Sequence, residues 1–492
     1  MKQNIPYITL IITGAALLFA SCNKLTENPS SVIIADQFYK TQSDAVSAVN
    51  AAYSSLNSDP AGDFPLYGRQ LNLLTENGSD NQIYSPSNTN PDVRALGTET
   101  YISANSRVQK VWQQLYYGIN RANIAIDKIP AIQADTVVLN RLVREAKFLR
   151  GLLYFNLVRL YGAVPLVLHD PTSIQLKDLQ QPRTPVDSVY LQIVADLKDA
   201  TSLPKTYSGS DKGRATSGAA HALLAKVYVT RQQWPAALTE LNQVINGGYG
   251  YSLFTNYRDV FQKPTKNGVE HIFSAQFESN LGAANSVQNL SQSFSSFNPG
   301  TLPIDIPADQ NLVKLFSTND TRRAVTFYSE VYNAATGKTV VYSNAYTPYF
   351  NKFVDYSLTP LTTQSQSGIN YPIIRYADIL LLYAEVRNEI DGAPLTDAYN
   401  AIDQVRNRAQ IGGLTKGLSQ SAFRDSVFLE RRKEFIQEGH RWFDLVRRGG
   451  TYLVDALHTL PAKSAASDKN KLYPIPLIEL QQNPKLTQNP GY

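Results

Sequence analysis

Apolar residues return every three or four positions over two long stretches of this chain. That period commits most of it to packed α-helices. Residues 105–129 carry Val108, Val111, Trp112, Leu115, Ile119, Ala122, Ile126 and Ile129 at helical spacing. Residues 137–161 carry Leu139, Leu142, Val143, Ala146, Leu149, Leu153, Leu157 and Leu160. Each set forms one apolar stripe that needs a partner to cover it. A first helix fits Thr41 to Leu56, with Thr41 or Ser43 as its cap. Others fit 186–200, 217–230, 234–246, 373–390, 394–409 and 419–447.

The helices come in pairs. Ser217 to Asn246 places Ala220, Leu224, Ala225 and Tyr228 on one helix and Trp234, Ala237 and Leu241 on the next. Small residues at such positions let two helices approach closely, as in tetratricopeptide-like repeats of about 34 residues. Tyr376–Glu389 and Leu395–Arg408 form a second such pair, and no unit carries the full consensus. Between the helices lie two irregular segments. Residues 57–98 are rich in Asn, Ser, Asp, Gly and Pro. Residues 247–372 add aromatics and short strand-like runs, His271–Phe277 and Thr339–Tyr342. The tail from Leu472 holds Pro474, Pro476, Pro484 and Pro490 and is expected to be mostly extended.

Composition narrows the function classes. Apolar residues make up 43% and charged residues 18%, which rules out wholesale disorder. A net charge of +5 with no Lys/Arg block gives no nucleic-acid signature. The single cysteine excludes a disulfide framework and a multi-Cys metal site. That cysteine follows MKQNIPYITLIITGAALLFAS. Lys2 supplies a basic start, Ile8 to Phe19 an apolar run, and Ala20 and Ser21 a small-residue cleavage site. Cys22 then stands where a bacterial lipoprotein signal places its acylated thiol, although Phe19 departs from the usual Leu, Val or Ile. An ordinary signal peptide with an incidental cysteine is the alternative. The expected organisation is a signal over 1–21, a lipidated tether over 22–40 and a body over 41–492. Several acyl chains give a stable anchor.

Catalytic motifs are missing. There is no H-E-x-x-H and no G-x-S-x-G, and the five histidines are scattered. Gly337-Lys338-Thr339 resembles the end of a phosphate loop, but Tyr332 stands where its first glycine belongs. No spacing points to a carboxylate pair for glycoside hydrolysis. The densest charged run, Glu430 to Leu445, has helical spacing. Leu429, Ile436 and Phe443 are expected to face a core. Glu430 with Lys433, and Glu438 with Arg441, are expected as i,i+3 pairs. No enzyme activity, metal or cofactor is expected.

Three segments resemble the SusD/RagB family of outer-membrane nutrient-binding lipoproteins. They are ERRKEFIQEGHRWFDLVRRG (430–449), YPIPLIELQQNPKLTQNPGY (473–492), and 375–409, which begins RYADILLLYAEVRNE and ends AIDQVRNRA. WQQLYYGINRANIAI (112–126) and EAKFLRGLLYFNLVRLYGAVP (145–165) support them. The resemblance implies a mainly α fold in a single domain. Its tetratricopeptide-like scaffold would occupy approximately 41–56, 105–246 and 373–447. A loop-rich lobe with short strands, approximately 57–104 and 247–372, would form the ligand face. It further implies lipid anchoring at the outer membrane, partnership with a SusC-like TonB-dependent transporter, and capture of oligosaccharides, or in some members peptides. Only Cys22 carries over as a functional residue.

Sugar recognition needs aromatic faces beside amide, carboxylate or guanidinium groups. Residues 76–94 offer Asn77, Asp80, Asn81, Gln82, Tyr84 and Arg94. Residues 276–300 offer Gln276, Phe277, Asn280, Gln292, Phe294, Phe297 and Asn298. Tyr328, Tyr346 and Tyr349 are further candidates. The competing expectation is that such aromatics pack the lobe's own core, and Trp112, Trp234 and Trp442 fall at helical core positions.

Overall fold

The computed structural model describes residues 38–173, 175–279 and 297–492. The leader, Cys22, Asn280, Gln292 and Phe294 lie outside the described residues. Helix α1 (Gln42–Ser54) opens with a capping box. The Thr41 hydroxyl accepts from the Asp44 N–H at 3.2 Å, and the Asp44 carboxylate accepts from the Thr41 N–H at 2.8 Å. The other principal helices are α2 (Leu71–Thr75), α3 (Pro91–Gly97), α4 (Ser106–Lys128), α5 (Thr136–Tyr161), α6 (Val186–Ala200), α7 (Ser217–Thr230) and α8 (Trp234–Asn246). The C-terminal set is α9 (Tyr376–Asp391), α10 (Thr396–Arg408), α11 (Gln420–Glu434), α12 (Arg441–Arg448) and α13 (Tyr452–His458).

These helices stack in chain order. α4 packs on α5, α5 on α6, α6 on α7, α7 on α8, α8 on α9, and α9 on α10 and α11. Where the connection is short, as between α4 and α5, α7 and α8, or α9 and α10, the neighbours run antiparallel. Close approach is built in at two glycines. A Cβ on Gly118 of α4 would meet Leu153 of α5 at 2.7 Å, and one on Gly151 of α5 would meet Leu197 of α6 at 3.0 Å. The mainly α, repeat-like scaffold expected from the periodicity is the fold observed.

Among the described residues, the strands form four antiparallel pairs. β1 (Gln82–Tyr84) pairs with β3 (Asp305–Pro307), and β2 (His271–Ala275) with β8 (Tyr371–Arg375). β4 (Phe327–Tyr328) pairs with β7 (Tyr349–Phe350), and β5 (Glu330–Asn333) with β6 (Lys338–Val341). The lobe has its own small cores. One joins Ile306, Tyr328, Val331, Tyr342, Tyr349 and Val354. Another joins Leu312, Val313, Phe316, Phe327 and Phe350 to Ile436 of the scaffold. Among the described residues, no helix is long and apolar enough to cross a membrane.

Several expectations need correction. Residues 373–375 belong to β8, so the next helix starts at Tyr376. The helix expected over 419–447 is two helices, α11 and α12. Gln437 and Gly439 between them have φ of +66° and +71°, a left-handed backbone no α-helix continues through. Leu429, expected to face the core, is 44% exposed on α11, while Ile436 and Phe443 are buried as expected. The break dissolves the expected Glu438–Arg441 pair, because the two residues no longer share a helical turn. Glu430 and Lys433 do pair, at 3.5 Å. The proline-bearing tail includes a helical turn, Leu477–Gln482, with Pro476 at its cap position. The segment 57–98 contains α2, α3 and β1. Trp112 and Trp442 are buried, and Trp234 is half-buried.

Candidate ligand-binding site

The lobe is fixed to the scaffold by a buried ionic joint. Arg322 bonds Asp320 at 2.9 and 2.8 Å, Glu434 at 3.0 Å and Glu430 at 2.6 Å. Arg375 reaches Glu438 at 2.7 Å, Glu434 at 3.0 Å and Glu270 at 2.5 Å. Lys352 meets Glu438 at 2.9 Å, and Arg408 meets Glu434 at 2.6 Å. Burial would raise the Glu434 carboxyl, but Arg408, Arg375 and Arg322 outweigh it and hold the group well below the carboxylate range. The charged run of the sequence is therefore a joint of matched ions. It offers no free base.

The same helices hold the first candidate segment. Asp80 accepts from Arg441 at 2.7 and 2.9 Å and pairs with Arg432 at 2.9 Å. Burial pushes its carboxyl up, and the two guanidinium groups more than reverse this, leaving it at about 2. The Asn81 amide oxygen accepts from Arg432 Nε at 2.9 Å. The Asn77 carbonyl accepts from buried Lys463. Gln82 begins β1 opposite Pro307. β3 is tied in turn by Asp305, which pairs with Arg69 of the segment before α2.

This frame brings the two irregular segments together. The Ser85 N–H donates to the Ile304 carbonyl at 2.9 Å. The Ser87 hydroxyl donates to the Leu302 and Pro303 carbonyls, both at 3.3 Å. Tyr84 leaves β1 half-buried, with the Arg94 guanidinium 5.3 Å from its ring centre. Phe297 is half-buried against the lobe core, on which Leu302 and Ile83 also pack. Asn298 is exposed, and its side-chain oxygen accepts from the Gly300 N–H at 2.9 Å. Of the candidates in these two segments, Tyr84 and Phe297 are half-buried and Arg94 and Asn298 are exposed.

The other candidates are placed differently. Asn77, Asp80, Asn81 and Gln82 are buried. Phe277 lies in the main core, and Gln276 is engaged by Asn267 at 2.7 Å and Asn370 at 2.8 Å. Tyr328 and Tyr349 stack edge-on at 5.6 Å within the lobe core, whereas Tyr346 is 36% exposed. Tyr332 and Tyr356 are among the exposed aromatics that the sequence reading did not single out. Tyr332 is 59% exposed on β5, beside buried Val331, so strand alternation was the signal. Tyr356 is 50% exposed, with Arg258 5.3 Å from its ring centre, a cross-lobe contact that no local pattern announces.

Comparison with known proteins agrees with this architecture. Residues 269–492 match the model of the SusD family, and residues 36–229 match one described as "Starch-binding associating with outer membrane". SusD-like protein P25 of Formosa agariphila is 30% identical, over 98% of this chain and 99% of the relative. A solved SusD superfamily protein from Parabacteroides distasonis superposes with a TM-score of 0.79 at 26% identity, covering 92% of this chain and 99% of its own. A solved "Laminarin binding SusD-like protein" gives 0.77 at 26% identity, covering 92% and 100%. The helical stack, the lobe riveted to it and the full-length similarity together place this chain in the SusD family.

Proposed function

We propose that the protein captures oligosaccharides at the cell surface and passes them, unchanged, to a SusC-like TonB-dependent transporter. Its body is tethered to the outer membrane through acylated Cys22. The observation that carries this reading is the half-buried Tyr84 ring with the exposed Arg94 guanidinium 5.3 Å from its centre. An aromatic face takes the C–H side of a sugar ring, and guanidinium and amide groups take its hydroxyls. The resemblance to a laminarin-binding relative supports the same ligand class. Binding without chemistry fits the electrostatics. Two carboxylates of the segments that meet here, Asp80 and Asp305, are committed to Arg432, Arg441 and Arg69, so neither is a free acid or base.

Calorimetric titration of the purified chain against oligosaccharides of varied linkage, with a peptide mixture in parallel, tests the proposal. Saturable binding to one glycan, with no product formed and about tenfold weaker binding in Tyr84→Ala, is the expected result. A heat of binding from peptides alone would move the protein to the peptide-capturing branch of the same uptake machinery. Turnover of the glycan would refute a pure binding role.

A further inference from the structure

An open cleft of about 420 Å³ lies on the scaffold between α4, the helical turn Leu176–Leu179 and the C-terminal turn Leu477–Gln482. That volume suits a small organic ligand. Its walls are tied to one another. Gln180 Nε2 donates to the Gln482 carbonyl at 2.6 Å, and Asn483 Nδ2 donates to the Gln181 carbonyl at 2.8 Å. Lys485 Nζ donates to the Gln180 carbonyl at 2.8 Å. The Tyr116 hydroxyl of α4 donates to the Pro165 carbonyl at 2.7 Å.

The lining is mostly apolar. Tyr116 and Tyr117 are half-buried in it, and Leu176 and Leu179 are 55% and 44% exposed at its edge. Two exposed leucines on one short turn are surface that the hydrocarbon of a ligand would cover. Among the residues that line the cleft, only Glu479 is charged. It is half-buried, and among the described residues it forms no ion pair. Its hydrogen bonds come from the side chains of Trp112 and Gln113, both neutral. Burial raises the Glu479 carboxyl, and these two donors only partly offset it. Cations close by are used elsewhere. Arg183, near Tyr116, gives its donors to the carbonyls of Tyr161, Ala163 and Thr487 and to the Asn489 amide oxygen. Arg121 lies over the Tyr117 ring, 4.9 Å from its centre. A carboxylate supplied only with neutral donors, on the wall of an apolar cleft, complements a cation carried on hydrocarbon. A neighbouring aromatic ring attracts such a cation further.

We propose that this cleft binds an aliphatic ammonium group, with its charge on the Glu479 carboxylate and its hydrocarbon against Leu176, Leu179 and Tyr116. The group belongs either to a free amine or to the lysine side chain of a peptide. The site shares no residue with the oligosaccharide surface and does not rest on that reading.

The test is ligand-detected NMR titration of the purified chain at constant ionic strength. The probes are n-hexylammonium and Nα-acetyl-lysine methylamide, with n-hexanol and hexanoate as controls. At least one ammonium should bind saturably, with hexanol about tenfold weaker and hexanoate silent. Tighter binding of hexylammonium points to a free amine, and tighter binding of the blocked lysine to a peptide. Glu479→Gln should weaken binding about tenfold. Leu179→Lys, on the exposed edge and clear of the core, should weaken it several-fold by placing a second cation at the entrance. No saturable binding of either ammonium, hexanol binding as well as hexylammonium, or unchanged affinity in Glu479→Gln and Leu179→Lys would overturn the proposal.

Discussion

Replacing Asp80 by Ala removes the one carboxylate that holds both Arg432 and Arg441 beneath the ligand-facing lobe. Asp80 is 4% exposed, so solvent cannot take its place. Breaking one side of a buried ion pair costs about 3–5 kcal/mol, because the remaining charges stay buried without a partner. A chain of this size unfolds with an entropy near 1 kcal/mol per degree, so Tm should fall by about 3–5 °C at pH 7. The pH dependence provides an independent magnitude. Despite burial, the arginines lower the carboxyl from 3.8 to about 2. At about 1.4 kcal/mol for each pH unit, the charged form stabilises the fold by roughly 2.5 kcal/mol. The sign follows from the lowered value. The stabilisation is complete well above pH 3.8 and is lost as pH falls through about 2, with roughly half remaining at pH 3. Differential scanning calorimetry of both proteins from pH 7 to pH 3 measures this directly. A deficit below about 1 °C at pH 7, or one that does not shrink on acidification, would refute the assignment of Asp80 as the clamp.

A Cβ on Gly97 of α3 would meet the Tyr84 ring at 2.7 Å. Gly97→Val should therefore push that ring away and weaken oligosaccharide binding about tenfold, while Tm drops by only ~1–3 °C. Glu76 is buried, and burial, only partly offset by the Gly439 N–H and Lys352, raises its carboxyl from 4.5 to about 7. A raised acid costs stability once it must ionise, so Glu76→Gln should be neutral at pH 4 and stabilise the chain by up to ~3 kcal/mol at pH 8. Equal denaturation midpoints at pH 8 would contradict this. Arg322→Met leaves Asp320, Glu430 and Glu434 facing one another without their shared cation and should cost about 3–5 kcal/mol in chemical denaturation.

Much of the scaffold could be read from local spacing. The spans 186–200, 217–230 and 234–246 coincide with α6, α7 and α8. Their period records which face each helix must bury, a property of neighbouring residues alone. Resemblance over the whole body likewise identified the family before any contact was known. The proposed ligand surface was only partly legible. Residue types flagged Tyr84, Arg94 and Asn298 together with Asn77 and Asn81, but nothing local separates an exposed amide from one used to hold a loop.

What tertiary structure alone decided is the ionic joint and the break that makes it. Arg441 meets Asp80 across 361 residues. The spacing of 430–445 instead suggests a continuous helix paired with itself. Left-handed Gln437 and Gly439 interrupt that helix, letting Ile436 enter the lobe core and Glu438 reach Arg375 and Lys352. Hydrophobic period is set by the geometry of a few consecutive residues, so the sequence carries it openly. The partner of a buried charge is set by which distant elements the packed chain brings within about 3 Å, and that is known only once the chain has folded.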